Sequence, residues 1–188
     1  MRVVSGECKG RPLKAVPGVS TRPTTDKVKE AIFNIIGPYY NGGLALDLFG
    51  GSGGLGLEAL SRGMDKAIFV DREGKAIATI KKNVEACRME DRVEIYRNDA
   101  ERALKALIKR EVSFDLILLD PPYNNQKIIS LISVIEQNGL LKEDGTIMTE
   151  HAVEVQLPDE IGKLKKVRYE DYGITAISIY EFALEEEE

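Results

Sequence analysis

The stretch Leu44-Ala45-Leu46-Asp47-Leu48-Phe49-Gly50-Gly51-Ser52-Gly53-Gly54-Leu55-Gly56 decides the architecture. It opens as a short apolar run with an acid near its end, the pattern of a strand buried on both faces. Four glycines between Gly50 and Gly54 permit a tight turn and let a ligand approach bare backbone. From Leu55 the periodicity becomes helical, with Leu55, Glu58, Ala59 and Arg62 on one side and Leu57, Leu60 and Ser61 on another. Strand, glycine turn and helix start together make a site for a nucleotide-sized ligand in an α/β protein.

The chain on either side extends this pattern. Strands are expected at Leu44–Phe49, Lys66–Val70, Arg92–Arg97, Phe114–Leu119 and Gly145–Glu150. Helices alternate with them near Gly54–Arg62, Glu73–Cys87, Ala100–Lys109 and Lys127–Gln137. Such alternation implies a parallel sheet covered by helices on both faces, with ligands at the carboxyl ends of the strands. Four successive strands end there in acids or glycines: Asp47 and Gly50, Asp71, Asp99, and Asp120. Beyond Glu150 the alternation stops. Short strands at Val153–Leu157 and Lys165–Tyr169 and a last one at Ile174–Ala183 suggest a hairpin closing the sheet. Before Leu44, runs at 2–5 and 12–16 flank Gly6–Gly10 as a small hairpin. A helix capped by Thr24 or Thr25 then runs to Ile36 on an apolar stripe of Val28, Ile32, Ile35 and Ile36. The expected division is an N-terminal extension over 1–40, a main domain over 41–184 and a disordered acidic tail over 185–188.

Composition sets the outer limits. The 188 residues are 43% hydrophobic and 30% charged, as in an ordinary globular protein, and no run reaches the roughly 20 apolar residues of a spanning helix. Cys8 and Cys87 are far apart and lack a CxxC partner, which argues against a disulfide framework or metal site and for reduced thiols in the cytoplasm. Net charge is −5, yet residues 1–40 carry seven Lys/Arg against three acids. A basic segment at one end of an acidic chain is the electrostatic footprint expected for a polyanion.

Two motifs carry chemistry. Gly51-Ser52-Gly53-Gly54-Leu55-Gly56 fits G-x-G-x-x-G, and Asp71 follows about twenty residues later, as in a dinucleotide site. A carboxylate there accepts from two adjacent ribose hydroxyls, so any adenosine-containing ligand satisfies it. Asp120-Pro121-Pro122-Tyr123 narrows the choice. Two prolines stiffen the backbone and remove two N–H donors. The Asp120 carboxyl and the Pro121 carbonyl can then accept both hydrogens of an amino group, and Tyr123 offers a face to a planar base. His151, the one histidine, is expected to be structural.

Asp47-Leu48-Phe49-Gly50-Gly51-Ser52-Gly53, Asp71, Asn98-Asp99-Ala100 and Asp120-Pro121-Pro122-Tyr123, in that order, resemble the motifs of S-adenosylmethionine-dependent amino-methyltransferases. Arg22-Pro23-Thr24-Thr25-Asp26-Lys27-Val28-Lys29-Glu30-Ala31-Ile32-Phe33-Asn34 and Gly53–Gly63 resemble, more narrowly, the RsmD family of bacterial 16S rRNA (guanine-N2)-methyltransferases. Gly51 and Gly54 stand where alanine is usual, and Lys27 and Lys29 where arginine is. The resemblance implies a Rossmann-like class I methyltransferase fold: a mostly parallel seven-stranded sheet with a C-terminal antiparallel hairpin, plus a small N-terminal β-hairpin and helix. It implies that Gly50, Gly51 and Gly53 pass beneath the methionine part of S-adenosyl-L-methionine, with Asp71 at its ribose and Asp99 and Ala100 at its adenine, and that Asp47, Phe49, Ser52 and Arg72 also bind the cofactor. Asp120, Pro121 and Tyr123 become the catalytic set, Asp120 also bordering the cofactor. Arg2, Lys9, Arg11, Arg22 and Thr24 become RNA contacts. The implied partner is 16S rRNA in a partly or fully assembled small subunit, without metal or membrane; the sequence leaves the oligomeric state open, with a monomer favoured.

Four rival readings fit the residues less well. A DNA adenine-N6 methyltransferase needs more recognition surface than about 40 N-terminal residues offer. A nicotinamide-dependent oxidoreductase leaves Asp120–Tyr123 without a role, and a protein-glutamine methyltransferase more often has Asn at position 120. A non-catalytic RNA-binding module has no use for the intact acids.

Overall fold

The computed structural model describes residues 1–18 and 24–184. Its helices are α1 (Asp26–Ile36), α2 (Gly54–Ser61), α3 (Gly74–Ala86), α4 (Ala100–Lys109) and α5 (Asn125–Gln137). Its strands are β1 (Leu44–Asp47), β2 (Lys66–Asp71), β3 (Val93–Arg97), β4 (Phe114–Leu119), β5 (Leu141–Ala152), β6 (Glu160–Ile161), β7 (Leu164–Asp171) and β8 (Thr175–Phe182). They form one sheet in the order β3-β2-β1-β4-β5-β8-β7-β6. Pairing is parallel from β3 to β5 and antiparallel from β5 to β6. The chain leaves β1 towards β3 on one side and returns to β4 on the other. The switch point therefore falls between β1 and β4, where α/β sheets open a ligand crevice.

Period-two burial divides the core. Ala45, Phe69, Leu116 and Leu118 face α1, α2 and α3. Leu46, Ile68, Ile117 and Leu119 face α4 and α5. The sheet has eight strands where seven were expected, the extra one being the two-residue β6. Val153–Leu157 is not a strand; β6 takes the place expected of it beside β7. The N-terminus pairs as a small hairpin about one bridge, Arg2 to Pro12, with the Val3 N–H donating to the Arg11 carbonyl at 3.0 Å and the Leu13 N–H to the Met1 carbonyl at 2.8 Å. Pro12 sits at a non-hydrogen-bonded position, where its missing N–H costs the ladder nothing. The acidic tail 185–188 and Arg22 lie outside the described residues.

Thr25 is the N-cap of α1, its hydroxyl accepting from the Val28 N–H at 3.2 Å. The stripe of α1 is rotated from expectation, with Lys29 buried alongside Ile32 and Phe33. The cause lies in α2, whose eight residues are all buried. Residues 1–8 cover what the periodicity alone would leave to solvent. Glu58 accepts from the N–H groups of Val4 (2.8 Å) and Ser5 (3.4 Å). Ser61 Oγ accepts from the Cys8 N–H at 2.9 Å and donates to the Ser5 carbonyl at 2.7 Å. The polar residues of α2 thus answer backbone groups of the arm that would otherwise be buried unpaired. Val3 and Leu13 complete the same apolar core.

Candidate active site

The glycine turn closes tightly over β1 and β2. Gly50 donates to the Val70 carbonyl at 2.8 Å and Gly53 to the Gly50 carbonyl at 2.7 Å. Gly53, the N-cap of α2, has φ +84°, a left-handed conformation that side chains resist. Gly56 answers a close approach instead: a Cβ there would stand 2.3 Å from Phe69 Cε1 and 3.1 Å from Asp47 Oδ2. The Asp47 carboxylate accepts from the Gly56 N–H at 3.0 Å and so fixes the first turn of α2 on the end of β1.

Asp71, at the end of β2, accepts from the Gly51 N–H through Oδ2 and from the Glu73 N–H through Oδ1, both at 2.9 Å. Each oxygen keeps a further lone pair, so the carboxylate is oriented and still able to receive hydroxyl donors. Asp99 caps α4 by accepting from the Arg102 N–H at 2.8 Å, with Arg102 Nε 3.4 Å from its other oxygen. Ala100 is the first residue of α4, and its N–H has no intrahelical acceptor. A carboxylate aimed by two amides, an open helix N–H beside an acid, and a backbone floor free of side chains suit an adenosine-bearing ligand. Ser52 and Arg72 take less part. Ser52 Oγ points to Met1 Sδ at 3.7 Å, and Arg72 is exposed beside Glu73.

Across the switch point, Asp120 follows β4. Among the described residues no donor reaches its carboxyl or the Pro121 carbonyl, although Pro121 is buried. Tyr123 meets Phe49 edge to face at 5.5 Å, with Lys127 Nζ 4.8 Å from its ring centroid. Behind them lies a residue the motifs did not single out. Glu150, on β5 one step beyond the Leu119–Thr149 pair, is buried. It accepts from Thr24 Oγ1 at 2.7 Å and Thr175 Oγ1 at 3.3 Å. The signal was present, since the expected fifth strand also ends in an acid.

Asp47, Asp120 and Glu150 consequently face one crevice as three carboxyls. Burial raises the proton affinity of all three, and for Asp120 the charges of Glu150 and Asp47 add to it. Asp120 opens onto the cleft, where water tempers the push, while Glu150 stays enclosed. His151 is structural: Nδ1 donates to the Ala152 carbonyl, Nε2 accepts from Ser178 Oγ, both at 2.9 Å, and burial lowers its affinity for a second proton.

Asp47 gives a pH-linked prediction. Burial pushes its carboxyl up to about 7, whereas in the unfolded chain it titrates near 4. The native state then holds more protons across that interval, so the contribution is complete below about pH 4 and lost as pH rises to about 7. Its size is at most about 4 kcal/mol. Asp47→Asn keeps an acceptor for Gly56, so its Tm is expected to fall less than that of the wild type between pH 5 and pH 8. Parallel Tm profiles for the two proteins would refute this.

The other expected RNA residues are scattered. Thr24 is engaged with Glu150, and Arg2 lies 3.7 Å from Asp26. Lys9 and Arg11 flank a turn held at the far end of α2, where the Glu7 N–H donates to the Ser61 carbonyl at 2.8 Å. Eight helical residues, about 12 Å, separate that turn from the glycines.

Comparison with known proteins bears on the whole chain. Residues 1–181 match the family described as "Conserved hypothetical protein 95". Over 180 residues the chain is 58% identical to a Bacillus subtilis (strain 168) protein named "Putative rRNA methyltransferase YlbH", covering 96% of this chain and 98% of that one. It is 29% identical over 181 residues to the Escherichia coli (strain K12) protein named "Ribosomal RNA small subunit methyltransferase D", covering 96% and 89%. Among solved structures, "Putative methyltransferase yhhF from Escherichia coli" matches with a TM-score of 0.81 at 30% identity, over 97% of each chain.

Proposed function

The chain belongs to the RsmD family, and on that premise we propose that it transfers a methyl group from S-adenosyl-L-methionine to the exocyclic N2 amine of a guanine in small-subunit rRNA. The observation carrying this reading is the pair of unfilled acceptors, the Asp120 carboxyl and the Pro121 carbonyl, beside the glycine turn and next to Tyr123. A relative named for small-subunit rRNA and another named for rRNA support the substrate class.

Gly50–Gly53 form the floor for the cofactor, Asp71 holds the ribose, and Asp99 with the Ala100 N–H meets the adenine. When bound, S-adenosylmethionine supplies a methyl group on a cationic sulfonium, whose charge offsets the carboxyls around it. The lone pair of a guanine amine is delocalised into the ring, which makes it a poor nucleophile. Asp120 and Pro121 accept its two N–H bonds and favour a pyramidal nitrogen, while Tyr123 stacks the base. Once methylated, the nitrogen is acidic, and Asp120 is the nearest group with raised proton affinity to take the proton. Alignment of this kind is worth roughly 7–11 kcal/mol in well-oriented systems.

The test has two arms. Calorimetry is expected to show binding of S-adenosylhomocysteine and none of NAD. Small-subunit rRNA from cells lacking the protein is expected to miss one N2-methylguanine that purified protein restores. A modified adenine, or NAD binding alone, would overturn the reading.

A further inference from the structure

Twelve of the 25 Lys and Arg side chains among the described residues lie within 4.0 Å of an acid. Lys66 and Arg110 pair with Glu94, Arg92 with Glu7, Lys127 with Glu101 and Lys142 with Asp115. One face gathers six of the other thirteen. Arg11, Lys14, Lys75, Lys81, Lys82 and Arg88 are all exposed and form no ion pair among the described residues. All six lie on the N-terminal arm or on α3 and the residues just after it.

The geometry makes a track of them. A groove of about 400 Å³ runs between arm and helix, lined by Pro12, Lys14, Lys82, Asn83, Glu85 and Ala86. Glu85 is its one acid. Lys75 and Lys82, seven residues apart, share a face of α3 about 10 Å apart along its axis. The groove is fixed rather than loose. Asn83 is buried, accepts from the Lys14 N–H at 2.8 Å and donates to the Lys14 carbonyl at 2.9 Å. Its amide also donates to the Ser52 carbonyl at 2.8 Å, which ties the groove to the glycine turn. The upper end of the track, at Lys75, lies four residues after Asp71. The lower end reaches Arg88 and Arg11, where Cys8 Sγ donates to the Cys87 carbonyl at 3.4 Å.

Exposed cations gathered on one face of an acidic protein make a local positive field that attracts a polyanion. We propose that this groove, lined by Lys14 and Lys82 and continued by Arg11 and Lys75 on either side, holds the ribose-phosphate backbone of the RNA and leads it along α3 to the site. This rests on the proposed function for the identity of the polyanion. The continuity of the groove with the glycine turn favours an RNA strand over an acidic protein, which has no reason to end at the target base.

The test uses the full chain with K14E/K75E/K82E and, as control, K105E/K109E on α4, which the sheet separates from the groove. Filter binding of a small-subunit rRNA fragment and methyl transfer are measured across a salt series. For the triple variant, Kd and KM are expected to rise at least tenfold with kcat within twofold of wild type. The slope of log Kd against log salt is expected to lose about 2, from three single-strand phosphate contacts at about 0.7 each. K14Q/K75Q/K82Q is expected to lose the same slope. Kd and slope matching those of the control would overturn the track, whatever the transfer assay reads. If the wild type transfers no methyl group while the triple variant binds weakly, the proposed reaction fails and the track stands. Binding lost to an acidic polypeptide but not to RNA would assign the groove to a protein partner and overturn the proposal.

Discussion

Asp120→Asn is expected to lower turnover by 10²- to 10⁴-fold while changing affinity for S-adenosylhomocysteine less than threefold. The separation follows from where Asp120 stands. The groups suited to the adenosine belong to β2 and α4, and none of their hydrogen bonds involves Asp120. Asparagine matches its shape but presents either one acceptor or two donors, and it cannot take a proton. The substrate amine then loses an acceptor before transfer and the base that clears its proton afterwards. Glu150 offers a second reading of the same chemistry, because its charge raises the proton affinity of Asp120. Single-turnover rates across pH 5–9 measure the effect directly. An Asp120→Asn enzyme within tenfold of wild type would remove Asp120 from the chemistry.

Glu58→Gln is expected to cost about 3–5 kcal/mol of folding stability without touching a reacting group. Three charges are enclosed between α1 and α2: Glu58, Arg62 and Lys29. Arg62 Nε lies 3.8 Å from Glu58 Oε2, and its Nη1 donates to the Pro38 carbonyl at 3.2 Å. Arg62 Nε and Nη2 have no hydrogen-bond partner, so the cation depends on Glu58 and on the Phe33 ring 5.2 Å away. Lys29 Nζ donates to the Arg2 carbonyl at 2.6 Å, and burial lowers its proton affinity even though Glu58 and Asp26 raise it. Burial likewise outweighs the cations at Glu58, pushing its proton affinity up. The cluster as a whole therefore adds little stability over an apolar one, yet removing its single enclosed anion strands two cations. At roughly 2–4 °C per kcal/mol for a chain of this size, Tm is expected to fall by about 10 °C. Adding Lys29→Met should recover part of that loss. A change below about 1 kcal/mol in denaturant unfolding would show that water reaches the cluster.

The parallel half of the fold and the two ends of the crevice could be read from the sequence because their signals are local. Leu44–Gly56 states strand, turn and helix within one window, and Asp120–Tyr123 carries its own rigidity. What escaped depends on residues far apart in the chain. The burial of Glu58 and Lys29 had no local signal, because nothing near them in sequence announces an arm laid over α2. Glu150 gains meaning only once β5 pairs with β4, and Asn83 only once Lys14 and Ser52 converge on it. The apolar pattern across 153–157 matched a strand, but its residues follow the end of β5 without a pairing partner.

The short β6 has an effect beyond adding a strand. A sheet edge is a template on which another chain can pair, and long apolar edges invite fibres. Here β6 offers two residues, and β7 beyond it exposes Lys165 and Arg168. At the opposite margin β3 carries Glu94 and Arg97, with Glu94 held between Lys66 and Arg110. Each margin thus combines short length or charge with its exposed Tyr96, Val167 and Tyr169, and short or charged edges are how sheets discourage pairing with a second sheet.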